Sequence, residues 1–544
     1  MADDTTRYLC AASYLDPAYS KRAITEFLVE PTRPVPPSPG LDAGRVLTEA
    51  VRARARRKNY DGLLVVLMSV VIGLLWDNPL LYGWIVLSLV LVVARAGKVA
   101  YGPGKSLNPK TLILLAVAVV VAWLVLSYSD EIFDSGSRYS SRYAYSVDFD
   151  DDESSGGDTA RVVIGIVLAV VVLVVVTIER WSLWNLLTTR FKRFARQTDS
   201  GGSLTGLFTE DFRDQLARYR QEDESAGAPG APLVVYRGYN PFVGAGFRRD
   251  AWSMAIPLER LEDAESRLEL TTEALYDGVR AAIADLRNAS ALSPDHRLGG
   301  LTVTDAVFTP AAELVDHLGE PEAATYLPDI EYPPHTRLTA ADVARLRSEP
   351  KEWARYYLSF QVETWDRDLV LTTFLHVAVD DTTLYVEWTP FMLPPIRAGY
   401  RVVDKMRPDS LRPLGQGLLA WLEMPASLPG RIANLASWIR QPKREPGVLD
   451  PDRYGAASTL RELASVNLFS DYFQLVDIER YEKIIESRLL PSIGKLLGDA
   501  GFSTAKFEEQ AAVVINNDIT IGGDNRAPIT QTGLRGPRPR RPGA

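Results

Sequence analysis

The sequence predicts an α+β protein in two unlike parts, an N-terminal four-helix transmembrane region followed by a cytoplasmic domain with an antiparallel sheet and packed helices. Four apolar runs, Gly62–Trp76, Pro79–Ala94, Thr111–Leu126 and Val162–Ile178, contain no Asp, Glu, Lys or Arg. The segments around them alternate in charge. Beyond residue 230, β-branched and aromatic runs mix with amphipathic helical patterns, without the regular βαβ rhythm of a doubly wound sheet.

Each run is about 15–17 residues long, near the shortest that crosses a hydrocarbon core of about 30 Å. A core helix of a water-soluble protein keeps a polar stripe, whereas these runs are apolar all round. Trp76, Tyr82, Trp84 and Trp123 stand at or near run ends, where amphipathic rings rest among head groups. Asp77-Asn78-Pro79 reads as a tight turn, because Pro79 lacks an amide hydrogen and disfavours helical geometry at Asn78. The first two runs therefore form either a two-span or a re-entrant hairpin.

Orientation follows from short basic flanks. Arg52, Arg54, Arg56, Arg57 and Lys58 precede the first run, and Arg95, Lys98, Lys105 and Lys110 fill the second loop. Residues 129–160 are acidic, with only Arg138 and Arg142 against a series of Asp and Glu, and are expected outside. Arg180, Arg190, Lys192, Arg193 and Arg196 form a basic collar after the fourth run. Both termini are thus expected in the cytoplasm.

The segments in order are expected to be 1–58, a cytoplasmic helical segment with a Pro-rich linker; 59–180, the four spans with the acidic external loop 129–160; 181–230, a basic juxtamembrane helix and linker; 231–510, the cytoplasmic α+β domain; and 511–544, a β-prone tail and basic, disordered C-terminus. Helices are expected over 5–28 and about Ala43–Lys58. Short strands at Leu233–Arg237 and Trp252–Leu258 flank a Gly-rich turn, followed by a helix at Thr272–Leu286 and a strand at Leu301–Phe308. Tyr356–Trp365, Leu369–Val379 and Thr382–Met392 read as an antiparallel meander turning at Asp380-Asp381. Tyr472–Leu497 is strongly helical in period, with Pro491 expected to kink or split it. Val513–Asn525 alternates β-branched and polar residues, as in a hairpin or one solenoid rung.

Net charge is −9, and Cys10 is the single cysteine, which excludes an internal disulfide and paired-thiolate zinc sites. No cofactor, metal or nucleic-acid partner is expected. Tyr101–Ser106 resembles the end of a phosphate loop without its first Gly, and Asp148, Asp150 and Asp152 lack the turn Gly of a calcium loop. His296, His317, His335 and His376 are scattered, and Ser492–Lys495 matches S-x-x-K without companion motifs. No catalytic residue is assigned. The ligand candidate is an anion site at Arg237, Gly244, Gly246, Arg248 and Arg249, where backbone amides and guanidinium groups can hold a phosphate or carboxylate; a structural turn whose arginines pair with acids is the alternative.

Arg7-Tyr-Leu-Cys10, the Pro-rich linker, Tyr236–Gly244, Leu393-Pro-Pro395 and Tyr400–Asp404 together resemble uncharacterised multi-spanning membrane proteins of actinobacteria. The resemblance covers most of the chain and implies a bacterial plasma membrane, but no activity. The function expected is an integral plasma-membrane protein presenting a cytoplasmic binding, scaffold or sensor domain. Its expected partners are the lipid bilayer, a protein held by the cytoplasmic domain or C-terminal tail, and a second copy of the chain. A membrane-anchored enzyme or nucleotide- or anion-binding module, and an oligomeric transporter, are the alternatives.

Overall fold

The computed structural model describes residues 4–36, 40–101, 154–193, 212–225, 230–261, 269–366, 368–437 and 449–517. Within them the chain is a mixed α/β protein with many helices and one eight-stranded sheet. The apolar run Thr111–Leu126, most of the acidic segment 129–160 and the tail beyond Asn517 lie outside the described residues.

Helices α1 (Asp4–Leu15) and α2 (Pro17–Phe27) open the chain, with Asp16 capping α2 by accepting the Ala18 and Tyr19 amides at 2.9 and 3.1 Å. Helix α3 (Ala43–Leu74) starts at a second Asp cap, Asp42, and runs 32 residues. The expected helix at 43–58 and the first apolar run are therefore one element, since no proline interrupts them. The Asn78 amide donates to Leu75 O at 2.9 Å, closing the turn before α4 (Pro79–Tyr101). Helix α5 (Ser154–Arg190) carries the fourth run.

Among the described residues, Thr159–Arg190 is the one helix long and apolar enough to cross a membrane. Pro79–Arg95 is a shorter apolar helix. The first run is cut short on one side by Arg57, Lys58 and Asp61 and on the other by the end of α3. Of the three expected spans that lie among the described residues, one thus qualifies by length and composition, so a four-helix transmembrane region is not confirmed. These helices nevertheless expose apolar side chains: Val66 is 62 % exposed, Val93 69 % and Val167 56 %. Where they touch, Leu64, Met68 and Val71 of α3, Leu81 of α4, and Val172 and Val176 of α5 are buried together.

Helix α6 (Arg213–Ser225) precedes the sheet, whose strands are β1 (Ala231–Tyr236), β2 (Phe247–Arg248) and β3 (Trp252–Pro257), then, after helix α7 (Thr272–Ala284), β4 (Thr302–Pro310). Two short helices, α8 (Ala311–Asp316) and α9 (Pro321–Tyr326), lead to β5 (Arg337–Leu338) and α10 (Ala340–Ser348). The meander follows as β6 (Arg355–Thr364), β7 (Leu369–Val379) and β8 (Thr383–Leu393). Asp380 accepts the Thr382 and Thr383 amides at 2.8 and 2.7 Å, forming its second turn.

The strand order is β2-β8-β7-β6-β4-β1-β5, with β3 also paired to β8. All pairs are antiparallel except β1 with β4. The expected antiparallel sheet is corrected to a mixed one at that pair, because the long connection through β2, β3 and α7 supplies the crossover that a parallel pair needs. Nor do β1 and β3 pair across the Gly-rich turn.

Alternation along β6 sends Leu358, Phe360 and Val362 into the main core and Tyr357 to the opposite face. On that opposite face Phe242 sits among Phe308, Tyr357, Phe374 and Phe391, at 4.4–5.2 Å between ring centroids.

Helix α11 (Val402–Lys405) follows the sheet, and then α12 (Arg412–Leu422) and α13 (Met424–Ala436) form a helical hairpin. Helix α14 (Leu460–Ala464) precedes α15 (Tyr472–Asp499) and α16 (Ala505–Asn517). Helix α15 passes through Pro491 as one element. Burial of Leu489, Leu490 and Ile493 outweighs the lost backbone hydrogen bond. The β-prone Val513–Asn517 continues α16 instead of forming a strand, because Phe507 and Ala511 anchor that helix on the core. The remainder of that predicted hairpin lies outside the described residues.

A second core is shared along the chain. Leu9, Ile24 and Val46 from α1–α3 pack with Phe191, Leu216 of α6, Tyr400, Val403 of α11 and Leu460 of α14. Asp404 ties it together. It accepts Arg7 in a bidentate pair at 2.6 and 3.0 Å, Tyr8 Oη at 2.5 Å and the Arg193 amide at 2.9 Å.

Candidate functional site

The anion site expected from the sequence sits between β1 and β2. Its two glycines adopt φ of 95° and 90°, conformations suited to glycine. The Gly244 and Gly246 amides converge at 3.0 and 3.1 Å on Glu462 Oε1, so the carboxylate they hold belongs to the chain itself. Glu462 also completes a capping box with Thr459 on α14. Burial pushes its carboxyl up from the usual range, partly offset by the Thr459, Gly244 and Gly246 amides.

The three arginines do not converge. Arg237 bonds Glu26 and the Gly455 carbonyl, Arg249 donates to Glu482 at 2.6 Å, and Arg248 is exposed. An external anion would have to displace Glu462. Half-buried His376 has Nδ1 3.1 Å from Tyr356 O, and among the described residues no group of three His, Cys, Asp or Glu is placed to hold a metal.

A chamber of about 1440 Å³ lies elsewhere, between α1, α3, α5 and the segment 402–431. Helical spacing makes its walls. Arg56, Arg57, Tyr60 and Asp61 face it from α3, Glu179, Arg180, Leu183, Trp184 and Leu187 from α5, and Lys405, Arg407 and Arg412 from beyond the sheet. Seven lining residues are basic and three acidic.

Arg431 engages two of the acids, bonding Asp61 and approaching Glu179 Oε2 at 3.9 Å, while Asn434 Nδ2 donates to Asp61 at 2.6 Å. Arg56 donates to the Glu179 carbonyl at 3.1 Å and to Ser182. Arg57 donates to the Ser13 carbonyl and, at 3.1 Å, to Ser20 Oγ. Burial pulls Arg57 below its ordinary pKa, only partly offset by Asp16 and Asp61, yet a guanidinium remains charged. Arg180 Nε is buried with no acceptor among the described residues.

The hairpin α12–α13 forms one side of this chamber and then runs along the apolar helices. Trp421 Nε1 donates to Ala169 O at 2.9 Å, Trp84 Nε1 to Trp421 O at 3.2 Å, and the Ala426 amide to Ser88 Oγ at 2.9 Å. Its tip therefore lies ten residues along α5 from Glu179, roughly 15 Å at helical rise.

Residues 251–527 match the AbeC-like domain, just over half of the chain. The chain belongs to the AbeC-like domain family. No curated protein and no solved structure matches it. The AbeC-like domain includes β3–β8, the hairpin and Glu462, whereas the glycines that Glu462 binds precede it. The chamber joins Lys405, Arg407 and Arg412 of the AbeC-like domain to Arg56, Arg57 and Arg180 outside it.

In the sequence, Arg56, Arg57 and Arg180 read only as flanking charges that orient the apolar runs. Lys405, Arg407 and Arg412 belong to no motif. The signal that could have found them is a cluster of bases directly before the apolar helices of residues 412–436.

Proposed function

We propose that this chain is an integral protein of a bacterial plasma membrane that holds its AbeC-like domain at the cytoplasmic face as a binding, scaffold or sensor module. The observation that carries the reading is the outer surface of α5, where Val163, Ile164, Val167, Val170, Val174 and Ile178 are all exposed. A continuous apolar surface of this kind is costly in water and at home in lipid. Helices α3 and α4 extend it through Val66, Val70, Leu89 and Val93. Basic flanks orient the termini inward.

On this reading the hairpin α12–α13 is a re-entrant element. Leu414, Leu418, Leu419 and Ile432 face outward on it, and its tip reaches about half of a hydrocarbon core of roughly 30 Å. The AbeC-like domain is then fixed in depth as well as tethered, which suits a module that presents one surface to the cytosol.

The reading is tested by alkaline extraction of membranes and by reporter fusions after residues 58, 150 and 230. Retention in the pellet, with cytoplasmic signal at 58 and 230 and exterior signal at 150, is expected. Release into the supernatant would overturn membrane integration. A protein partner recovered with the detergent-purified full-length chain supports the scaffold role; turnover of a small metabolite without any partner would replace it.

A further inference from the structure

We propose that the chamber between α3, α5 and residues 402–431 binds a phosphate-bearing anion, and that its position favours the headgroup of an anionic phospholipid as the source. The inference rests on the membrane reading for that source, while the site itself rests on chemistry within the chamber.

Charge is the first argument. Of the three acids, Asp61 is hydrogen-bonded by Arg431 and Asn434, and Glu179 Oε2 lies 3.9 Å from Arg431. Among the described residues, no carboxylate forms an ion pair with Arg57, Arg180, Lys405, Arg407 or Arg412. Gathering several guanidinium groups around one space is unfavourable unless an anion balances them.

Hydrogen bonding is the second. Arg57 meets only neutral acceptors, and the buried Arg180 Nε meets none among the described residues. Guanidinium donors match phosphate oxygens in geometry as well as charge.

Position and size complete the case. Arg180 follows exposed Ile178 by two residues, and Arg57 precedes the apolar Gly62 by five, about 7.5 Å along the helix. Arg412 and Arg431 lie in the two helices of the re-entrant hairpin. These charges therefore stand at the level where a bilayer presents its phosphates. A volume of about 1440 Å³ exceeds what inorganic phosphate fills. Leu183, Trp184, Leu187 and Met406 give the wall an apolar part for glycerol or acyl carbon.

The test uses the full-length chain in an uncharged detergent, with intrinsic fluorescence reporting Tm. Phosphatidylglycerol in mixed micelles, phosphatidylcholine and inorganic phosphate are added separately to the parent, to the Arg57→Gln/Arg180→Gln variant and to the exposed Lys405→Ala/Arg412→Ala variant. Stabilisation by phosphatidylglycerol and not phosphatidylcholine, with binding weakened at least about tenfold in both variants and unchanged in Lys483→Ala outside the chamber, supports the proposal. If the Arg57→Gln/Arg180→Gln variant fails to fold, the exposed pair carries the test. Saturation by inorganic phosphate with the same variant sensitivity supports the anion site and overturns its lipid source. Equal effects of both lipids, or an anion effect unchanged in Lys405→Ala/Arg412→Ala, overturn the site. Release from membranes by alkali together with phosphate binding would defeat the membrane reading and leave the chamber standing.

Discussion

Gly417 of α12 lies so close to Thr177 of α5 that a Cβ at Gly417 would come within 2.6 Å of Thr177 Oγ1 and 2.9 Å of its Cα. Part of that crowding is backbone, which cannot swing aside. Gly417→Val should therefore lift α12 from α5, costing about 1–3 kcal/mol. Reduced Tm of the detergent-purified chain, with faster hydrogen exchange confined to α12 and its neighbours, checks the outcome.

The Glu462 carboxylate satisfies two amides that no other described acceptor reaches. Glu462→Ala should destabilise the chain by at least about 2 kcal/mol, because two partly buried donors lose their acceptor and α14 loses its capping box. Added sulfate should raise Tm in this variant and leave the parent unchanged. Thermal unfolding with and without sulfate measures both effects.

Asp404 yields a pH prediction. Burial raises its carboxyl, but Arg7, Tyr8 and the Arg193 amide more than offset that and bring it to about 2. A depressed carboxylate contributes stability that is complete above its unfolded value of about 4. That contribution is lost as pH falls toward 2. Hydrogen exchange in α1 should accelerate across this window, and Asp404→Asn should remove the dependence and loosen α1 at neutral pH.

Phe242 stacks on Phe374 with ring centroids 4.4 Å apart and touches three further aromatic rings. Phe242→Ala should cost about 3–5 kcal/mol, measurable as a loss of Tm. Phe242→Leu should recover part of it, since a smaller apolar group leaves less empty volume.

The strands of the meander were legible because alternation is a local signal. Leu371, Leu375 and Val377 mark one face of β7, and Asp380 marks the turn that ends it. Helix α15 was legible for the same reason, apart from the integrity of Pro491, which depends on core contacts invisible in sequence order. Val513–Asn517 shows the reverse case: its β-branched residues follow a helix already anchored at Phe507.

Site geometry was far less legible. Gly246 meets Glu462 across 216 positions, so the sequence could suggest an anion nest but not that its anion came from the same chain. The chamber draws its charges from three distant segments. Their convergence depends on the docking of the hairpin at Gly417 and Trp421, which no periodicity encodes.

The unbroken course of α3 has a mechanical implication. Its 32 residues extend roughly 48 Å, with one end in the shared N-terminal core and the other among the apolar helices. Such a rod is a stiff link between the two clusters, with Val46 and Leu47 packed among α1 and α2 at one end and Leu64, Met68 and Val71 packed against α4 and α5 at the other. On the proposed membrane placement, a displacement of that end would reach the Arg7–Asp404 junction.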